Sequence, residues 1–189
     1  MARPRSVQAH ESVLKAALTL IAERGIEGAS MDAIARLSGV SKATVYKHWS
    51  SKEELCLEAI CRLNGDMPVF ASGNPRADAI ELLRFLARIR KPEMGQLWPR
   101  IVGYAASNPE FGKAWRAHLM EPRRAELTRL LQQAIAQGEL RADLDPDLAM
   151  DLLIGPVMHR RFMNADVPAD IPERVVDAFW RAHAAPGKR

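Results

Sequence analysis

The sequence predicts an all-α protein, and three features of its 189 residues indicate that fold class. Apolar residues recur at the i, i+3, i+4 and i+7 spacing of one helix face, as in the set Leu14, Ala17, Leu18 and Ile21. Residues that start and stop helices separate these periodic segments. No segment of useful length alternates apolar and polar residues as a half-buried strand does.

The N-terminal part is predicted to contain four helices, of which the second and third are short. Ser30 is expected to cap the second helix, which Gly39 ends after about two turns. Ser41 is expected to cap a third helix that ends near Trp49. A capping box, Ser51-Lys52-Glu53-Glu54, is expected to start the fourth.

A break in composition divides the chain. Residues 65–75 hold two glycines and two prolines, which makes them the best candidate for a domain boundary. The sequence therefore predicts two domains, 1–65 and 66–189. In the second domain, helices are expected to start at Asn108-Pro109 and Asp145-Pro146, where a capping residue precedes proline at the first helical position.

Positive charge is concentrated at the N-terminal end of the chain. The formal net charge is +4. Residues 1–52 contain eight Lys and Arg residues against four Asp and Glu residues, whereas the remaining residues contain nineteen of each. A basic end on a neutral body indicates either a polyanionic partner at that end or a solvated basic face.

The second and third helices, joined by a tight turn at Gly39, form a predicted helix-turn-helix. Val45 of the third helix is expected to point into a small core that the two helices share. The remaining side chains of that helix are then left largely outward: Lys42, Ala43, Thr44, Tyr46, Lys47 and His48. A small residue at Ala43 would let the helix approach base edges, and hydroxyl and ammonium donors suit phosphate oxygens.

Two further residues near this helix have competing interpretations. Lys52 lies at the start of the fourth helix, where its ammonium and free backbone N–H groups could hold one phosphate. The alternative for the whole segment is an exposed polar helix in which Tyr46 and Trp49 are partly core. We expect Trp49 to pack in the core, and we expect the polyanionic partner to be bound by Tyr46, Lys47 and Lys52.

The wording of this segment is more specific than a helix-turn-helix alone. "GASMDAIARLSGVSKATVYKHWSSKEEL", residues 28–55, resembles the DNA-binding domain of the TetR family of transcriptional regulators. The resemblance covers about residues 7–65, and Trp49 departs from the family's usual phenylalanine. It implies a three-helix helix-turn-helix domain that binds double-stranded DNA, and it adds Ser30 and Ser41, at the two helix starts, to the candidate DNA-binding residues.

The C-terminal part resembles the family's helical ligand-binding and dimerisation domain more loosely, over Glu121 to Met163. The resemblance implies that helices at about 122–137 and 146–163 pack against their mates in a second subunit as a four-helix bundle. The predicted interface residues are Leu127, Leu130, Leu131, Ala134, Leu152, Leu153 and Val157. Both apolar faces could instead be core of a single subunit.

The resemblance also implies a small, often apolar inducer, which the sequence does not identify. Bulky side chains of the C-terminal domain are the candidate pocket walls, and each could equally be core: Phe85, Met94, Trp98, Tyr104, Trp115 and Met158. Release from DNA would follow if the ligand favoured a dimer with the wrong spacing of its DNA-binding heads.

The sequence thus predicts a homodimeric, ligand-responsive repressor of a palindromic operator. A transcriptional activator, or a helical interaction module that does not bind DNA, are the alternatives. No catalytic or phosphate-loop motif occurs and the five histidines do not cluster with acids, so no enzyme, metal or cofactor is predicted. Cys56 and Cys61 lack metal spacing, and no signal or membrane segment is found, so we expect a cytoplasmic location.

Overall fold

The computed structural model describes residues 4–88, 97–163 and 166–187, which form helices and connecting loops without a β-strand. The all-α prediction is confirmed. None of the helices described there is long and apolar enough to cross a membrane. The helices are α1 (Pro4–Arg24), α2 (Met31–Ser38), α3 (Lys42–His48), α4 (Lys52–Asn64), α5 (Pro75–Arg88), α6 (Leu97–Ser107), α7 (Pro109–Trp115), α8 (Glu121–Ala136), α9 (Pro146–Phe162) and α10 (Ile171–Ala182).

Short-range hydrogen bonds set the ends of α2 and α3 where the sequence predicts them. The Ser30 hydroxyl accepts a hydrogen bond from the backbone N–H of Ala33 at 3.2 Å. The Ser41 hydroxyl accepts one from the backbone N–H of Thr44, also at 3.2 Å. Gly39 ends α2 with a φ of +70°, a left-handed conformation that glycine adopts without steric cost.

The capping box of α4 differs from the usual one in a single contact: Glu54 pairs with Ser50 instead of with the N-cap residue Ser51. The Ser51 hydroxyl accepts a hydrogen bond from the backbone N–H of Glu54 at 3.1 Å, which confirms the predicted helix start. The Glu54 carboxylate, however, accepts hydrogen bonds from the hydroxyl and backbone N–H of Ser50, at 2.6 and 2.8 Å. The Ser50 hydroxyl, followed by its backbone N–H, lowers the pKa of Glu54.

The predicted starts of α7 and α9 are both found, but only one carries a side-chain cap. Asp145 accepts hydrogen bonds from the backbone N–H groups of Asp147 and Leu148 and so caps α9. Asn108 occupies the same position before α7 without capping it. Its amide N–H instead donates to the Tyr104 carbonyl at 3.1 Å, which ties it to the end of α6.

One compact unit contains α1 to α4 together with α6 and α7. The predicted apolar face of α1 forms its centre, because Leu14, Ala17 and Ile21 are buried. Contacts of α6 with α1 and of α7 with α4 hold these helices together. The compact unit that holds the helix-turn-helix therefore includes α6 and α7 as well as α1 to α4.

A second compact unit contains α5, α8, α9 and α10. Its core is aliphatic, with Leu82 and Leu83 of α5 packed among leucines of α8 and α9 and closed by Phe179 and Trp180 of α10. The helix α9 continues through Pro156. Arg161, near the end of α9, is buried and donates to the Leu86 carbonyl at 2.7 Å.

Burial in this second unit corrects most of the predicted dimer interface. Six of the seven predicted residues are buried within a single chain, where no partner can reach them; they are Leu127, Leu130, Leu131, Ala134, Leu153 and Val157. The seventh, Leu152, is 45 % exposed. The apolar face of α8 and the inner face of α9 are therefore core of the subunit, as the alternative interpretation allowed.

Replacing Gly39 with alanine tests the turn. A Cβ at this position would meet no atom within 4 Å, so the positive φ alone is expected to cost about 1 kcal/mol of stability. Gly103→Ala in α6 is the control, because its Cβ would also be unobstructed and helix propensity should stabilise it by about 0.5–1 kcal/mol. Urea unfolding measures both, and destabilisation by both variants would contradict this account.

Candidate nucleic-acid interface

Two buried side chains orient the helix α3. Val45 is its buried residue, and Trp49, which follows its last turn, is only 2 % exposed. The helix has seven residues, too few to be stable in isolation. Its position is therefore set by packing of these two side chains and by the Ser41 cap, and the prediction that Trp49 packs is confirmed.

The opposite face of α3 is open to solvent. Five of the predicted residues are exposed and one is partly buried: Lys42, Ala43, Tyr46, Lys47 and His48, with Thr44 the partly buried one. The Tyr46 side chain is 54 % exposed, so much of it is accessible to a partner outside the chain. The face combines a small residue, a phenol, two ammonium groups and an imidazole within two helical turns.

Several of these polar groups already have partners within the domain. The Ser30 and Ser41 hydroxyls serve as caps, and Ser41 also shares a 2.8 Å hydrogen bond with the Thr44 hydroxyl. Lys42 Nζ lies 2.6 Å from an oxygen of Asp32. Both side chains of this ion pair are more than half exposed, so it contributes at most about 1 kcal/mol and can yield to a phosphate.

Lys52 lies at the start of α4 but is less available than its neighbours. Its side chain is 27 % exposed, and its Nζ donates to the carbonyls of Ile26 and Glu27 at 3.2 and 3.4 Å. The ammonium also lies 6.0 Å from the centroid of the Tyr104 ring. These contacts link α4 to the loop after α1, and the phosphate contact of Lys52 stays a prediction.

Tyr104 of α6, a predicted pocket residue, has a hydrogen-bond partner within the first compact unit. Its hydroxyl donates to Glu53 at 2.8 Å, and its ring packs edge-on against Phe111. Burial, and then the hydrogen bond to Glu53, raise the pKa of Tyr104 to about 12. The side chain thereby connects α6 to the first turn of α4.

The other predicted pocket residues are divided between the two units. Trp98 and Trp115 belong to the first unit, with ring centroids 6.3 Å apart. The buried indole N–H of Trp115 has no hydrogen-bond partner among the residues that the structure describes. Phe85 and Met158 belong to the second unit. Met94 lies outside the described residues. A common ligand pocket for this set stays a prediction.

Two residues at the back of α3 are absent from the sequence-based predictions. His10 Nε2 donates to one oxygen of Glu58 at 2.6 Å, and the indole N–H of Trp49 donates to the other oxygen at 2.7 Å. Trp49 is the one feature of the sequence that indicates such an acceptor, because a buried indole N–H usually requires one. The residue that supplies the acceptor could not be chosen from the sequence.

The described part of the chain offers no group of His, Cys, Asp and Glu side chains suited to a metal ion. Cys56 is a buried free thiol. Burial is the main cause that raises the pKa of Cys56 to about 12, with a smaller contribution from Glu53. The Cys56 thiol is therefore protonated at neutral pH and behaves as an apolar core group.

Comparison with known protein families gives two matches along the chain. The family described as bacterial regulatory proteins, tetR family, matches residues 13–59, which include the helix-turn-helix. The family described as tetracyclin repressor-like, C-terminal domain, matches residues 70–179. Together the two matches cover most of both compact units.

Individual relatives match over nearly their full length. The HTH-type transcriptional regulator YdeS of Bacillus subtilis is 31 % identical over 94 % of this chain and 91 % of its own. The DNA-binding transcriptional repressor TetR of Mycobacteroides abscessus is 28 % identical over 94 % and 95 %. The crystal structure of a Mesorhizobium loti protein assigned to the TetR family shares the fold, with a TM-score of 0.68, 22 % identity and coverage of 97 % and 100 %.

Removing the Tyr104 hydroxyl tests its link to α4. Tyr104→Phe is expected to lower the free energy of unfolding at pH 7 by about 1 kcal/mol, the usual net value of one hydrogen bond. Because folding raises the pKa of Tyr104 to about 12, the wild-type protein loses this advantage as the pH rises from about 10, the unfolded value, through 12. The difference in free energy of unfolding between the wild type and Tyr104→Phe, measured with urea, should be smaller at pH 11.5 than at pH 7. An equal difference at the two pH values would contradict the assignment.

Proposed function

The chain belongs to the TetR family of transcriptional regulators, and from this premise we propose that it is a ligand-responsive repressor that binds a palindromic operator as a homodimer. Its family consists of DNA-binding regulators rather than enzymes, which confirms both the predicted class and the predicted lack of catalytic activity. The observation that carries the proposal is the polar, exposed face of α3 on a helix whose other face is anchored in the core.

We assign the contacts of α3 by the chemistry of its exposed side chains. Ala43 allows close approach to base edges and offers its methyl group to thymine. Tyr46 and Lys47 donate to phosphate oxygens, as does Lys42 once it leaves Asp32. His48 and Thr44 complete the face, while Ser30 and Ser41 act mainly by holding the two helices through their caps.

The dimer requires an apolar surface that a single chain leaves uncovered, and α9 and α10 offer one. Leu148 and Leu152 are exposed one turn apart on the outer face of α9. A groove of about 620 Å³ between the helices is lined by Leu152 and Pro156 of α9 and by Val175 and Ala178 of α10, among others. A two-fold related copy can cover this surface with the same surface of its own.

A two-fold dimer explains why the operator should be a palindrome. It presents two copies of α3 to successive major grooves, roughly 34 Å apart, so each half of the site meets the same side chains. Repression is favoured because the relative in Mycobacteroides abscessus, which matches 94 % of this chain, is a transcriptional repressor. Activation remains the alternative, since the same contacts serve either outcome and only the operator position decides.

The inducer is proposed to be a small, largely apolar molecule with a hydrogen-bond acceptor. The indole N–H of Trp115, close to Trp98, has no hydrogen-bond partner in the described part of the chain, which supports an acceptor group on the ligand. A ligand that binds better to the conformation unable to span two major grooves would release the operator. A regulator that binds chromosomal DNA acts in the cytoplasm, which is the location we propose.

Substitutions on the exposed face of α3 test DNA binding. Lys47→Ala is expected to weaken binding to the duplex that the wild-type protein enriches from random DNA, and to reduce the slope of log affinity against log salt by about 1 per subunit. Tyr46→Phe should weaken binding without changing that slope. Fluorescence anisotropy from about 50 to 200 mM salt measures both effects.

Lys113→Ala is the matched control, because it removes the same charge from an exposed lysine of α7. It should leave the affinity and the salt slope within experimental error of the wild type. Equal effects of Lys47→Ala and Lys113→Ala would show that net charge alone, rather than α3, determines binding.

Placing a charge in the α9–α10 groove tests the dimer surface. Leu152→Asp is expected to yield monomers in analytical ultracentrifugation at micromolar concentration, because two carboxylates would be buried at a two-fold contact. Val69→Asp is the control, since Val69 is 91 % exposed and lies outside the groove. A wild-type monomer, or a dimer that tolerates Leu152→Asp, would overturn this assignment.

A further inference from the structure

We propose that Glu58 and His10 are positioning residues for operator recognition, which together with Trp49 fix the C-terminal end of α3. These three residues are called the Glu58 cluster below. The inference rests on the proposed function, because it concerns the helix that meets DNA. It assigns a role to two side chains that lie behind the DNA-facing surface.

The cluster joins three segments of the chain through one carboxylate. One oxygen of Glu58, on α4, accepts a hydrogen bond from His10 of α1 at 2.6 Å. The other oxygen accepts the indole N–H of Trp49, the residue after α3, at 2.7 Å. Both hydrogen bonds are short and involve a carboxylate acceptor, the kind of hydrogen bond that is stronger and more directional than a neutral one.

Ring contacts extend the cluster to the DNA-facing side of α3. The His10 ring stacks on Trp49, with centroids 4.8 Å apart and an interplanar angle of 29°. His48, the last residue of α3, packs against both rings, at 6.0 Å from His10 and 5.7 Å from Trp49. A displacement of Trp49 or His10 therefore moves a side chain that is predicted to touch DNA.

The indole N–H does something that burial alone does not. Phenylalanine would also fill a buried site at this position, but it has no donor for Glu58. Val45 anchors the middle of α3, and a second anchor is needed to prevent the helix from pivoting about it. The directional hydrogen bond from Trp49 supplies that second anchor at the C-terminal end.

A small rotation of α3 should harm sequence recognition more than general affinity. Hydrogen bonds to base edges depend on distance and angle, whereas attraction to phosphates is long-ranged and independent of sequence. Loss of the cluster is therefore expected to lower the ratio of specific to non-specific affinity, with little change in non-specific binding. A merely structural residue would not change this ratio in a protein that remains folded.

The test compares His10→Leu, His10→Gln, Trp49→Phe and the double variant His10→Leu/Trp49→Phe. Affinities are measured for the duplex that the wild type enriches from random DNA and for a scrambled duplex, at a temperature where circular dichroism shows every variant folded. His10→Leu and Trp49→Phe should each lower the affinity ratio about tenfold, the scale of a hydrogen bond to a charged group. His10→Gln, which keeps an N–H donor at this partly buried site, should restore most of the ratio.

The double variant should lose little more than either single variant, because both act through Glu58. Ile21→Val is the stability control, since it destabilises the buried face of α1 without touching the cluster and should leave the ratio unchanged. A selective wild type whose ratio is the same in His10→Leu and Trp49→Phe would overturn this inference alone. A wild type with no sequence preference would overturn the proposed function and this inference with it.

Discussion

The burial of Val45 and Trp49 is the constraint on which the DNA-binding surface depends. A helix of seven residues gains too little from its own hydrogen bonds to persist, so α3 exists because the domain core holds these two side chains. The direction in which they point decides which residues face outward, Lys47 among them. Folding and DNA recognition therefore depend on the same interaction. A change in the packing of α1, α2 or α4 is expected to change the orientation of the exposed face of α3.

The parts of the fold that local chemistry determines could be predicted from the sequence. Ser30, Ser41 and Gly39 mark the ends of α2 and α3 because each cap joins residues three positions apart and a positive φ concerns a single residue. The outward face of α3 follows in the same way, once Val45 is assigned to the core. Periodicity and capping thus sufficed for the helices and for the orientation of the candidate DNA-binding residues.

Contacts between distant residues could not be predicted in this way. Periodicity shows that the face of α8 containing Leu127 is apolar, but it cannot say whether the subunit or a partner covers it; the subunit does, and Leu152 on the outer side of α9 is left exposed. An aromatic residue such as Tyr104 could be assigned to the interior, while its partner Glu53 lies 51 positions away. Glu58 was missed for the same reason, since its donor His10 is 48 positions distant.

The central claim is that two copies of α3, each held by its core anchors, meet two halves of one DNA site. Selection of bound duplexes from random-sequence DNA by the purified protein tests it most directly. The account predicts enrichment of a near-palindrome whose half-site centres lie about one helical turn, roughly 10 base pairs, or a multiple of it apart. Failure to enrich any sequence, or enrichment of a single half-site without two-fold symmetry, would contradict it.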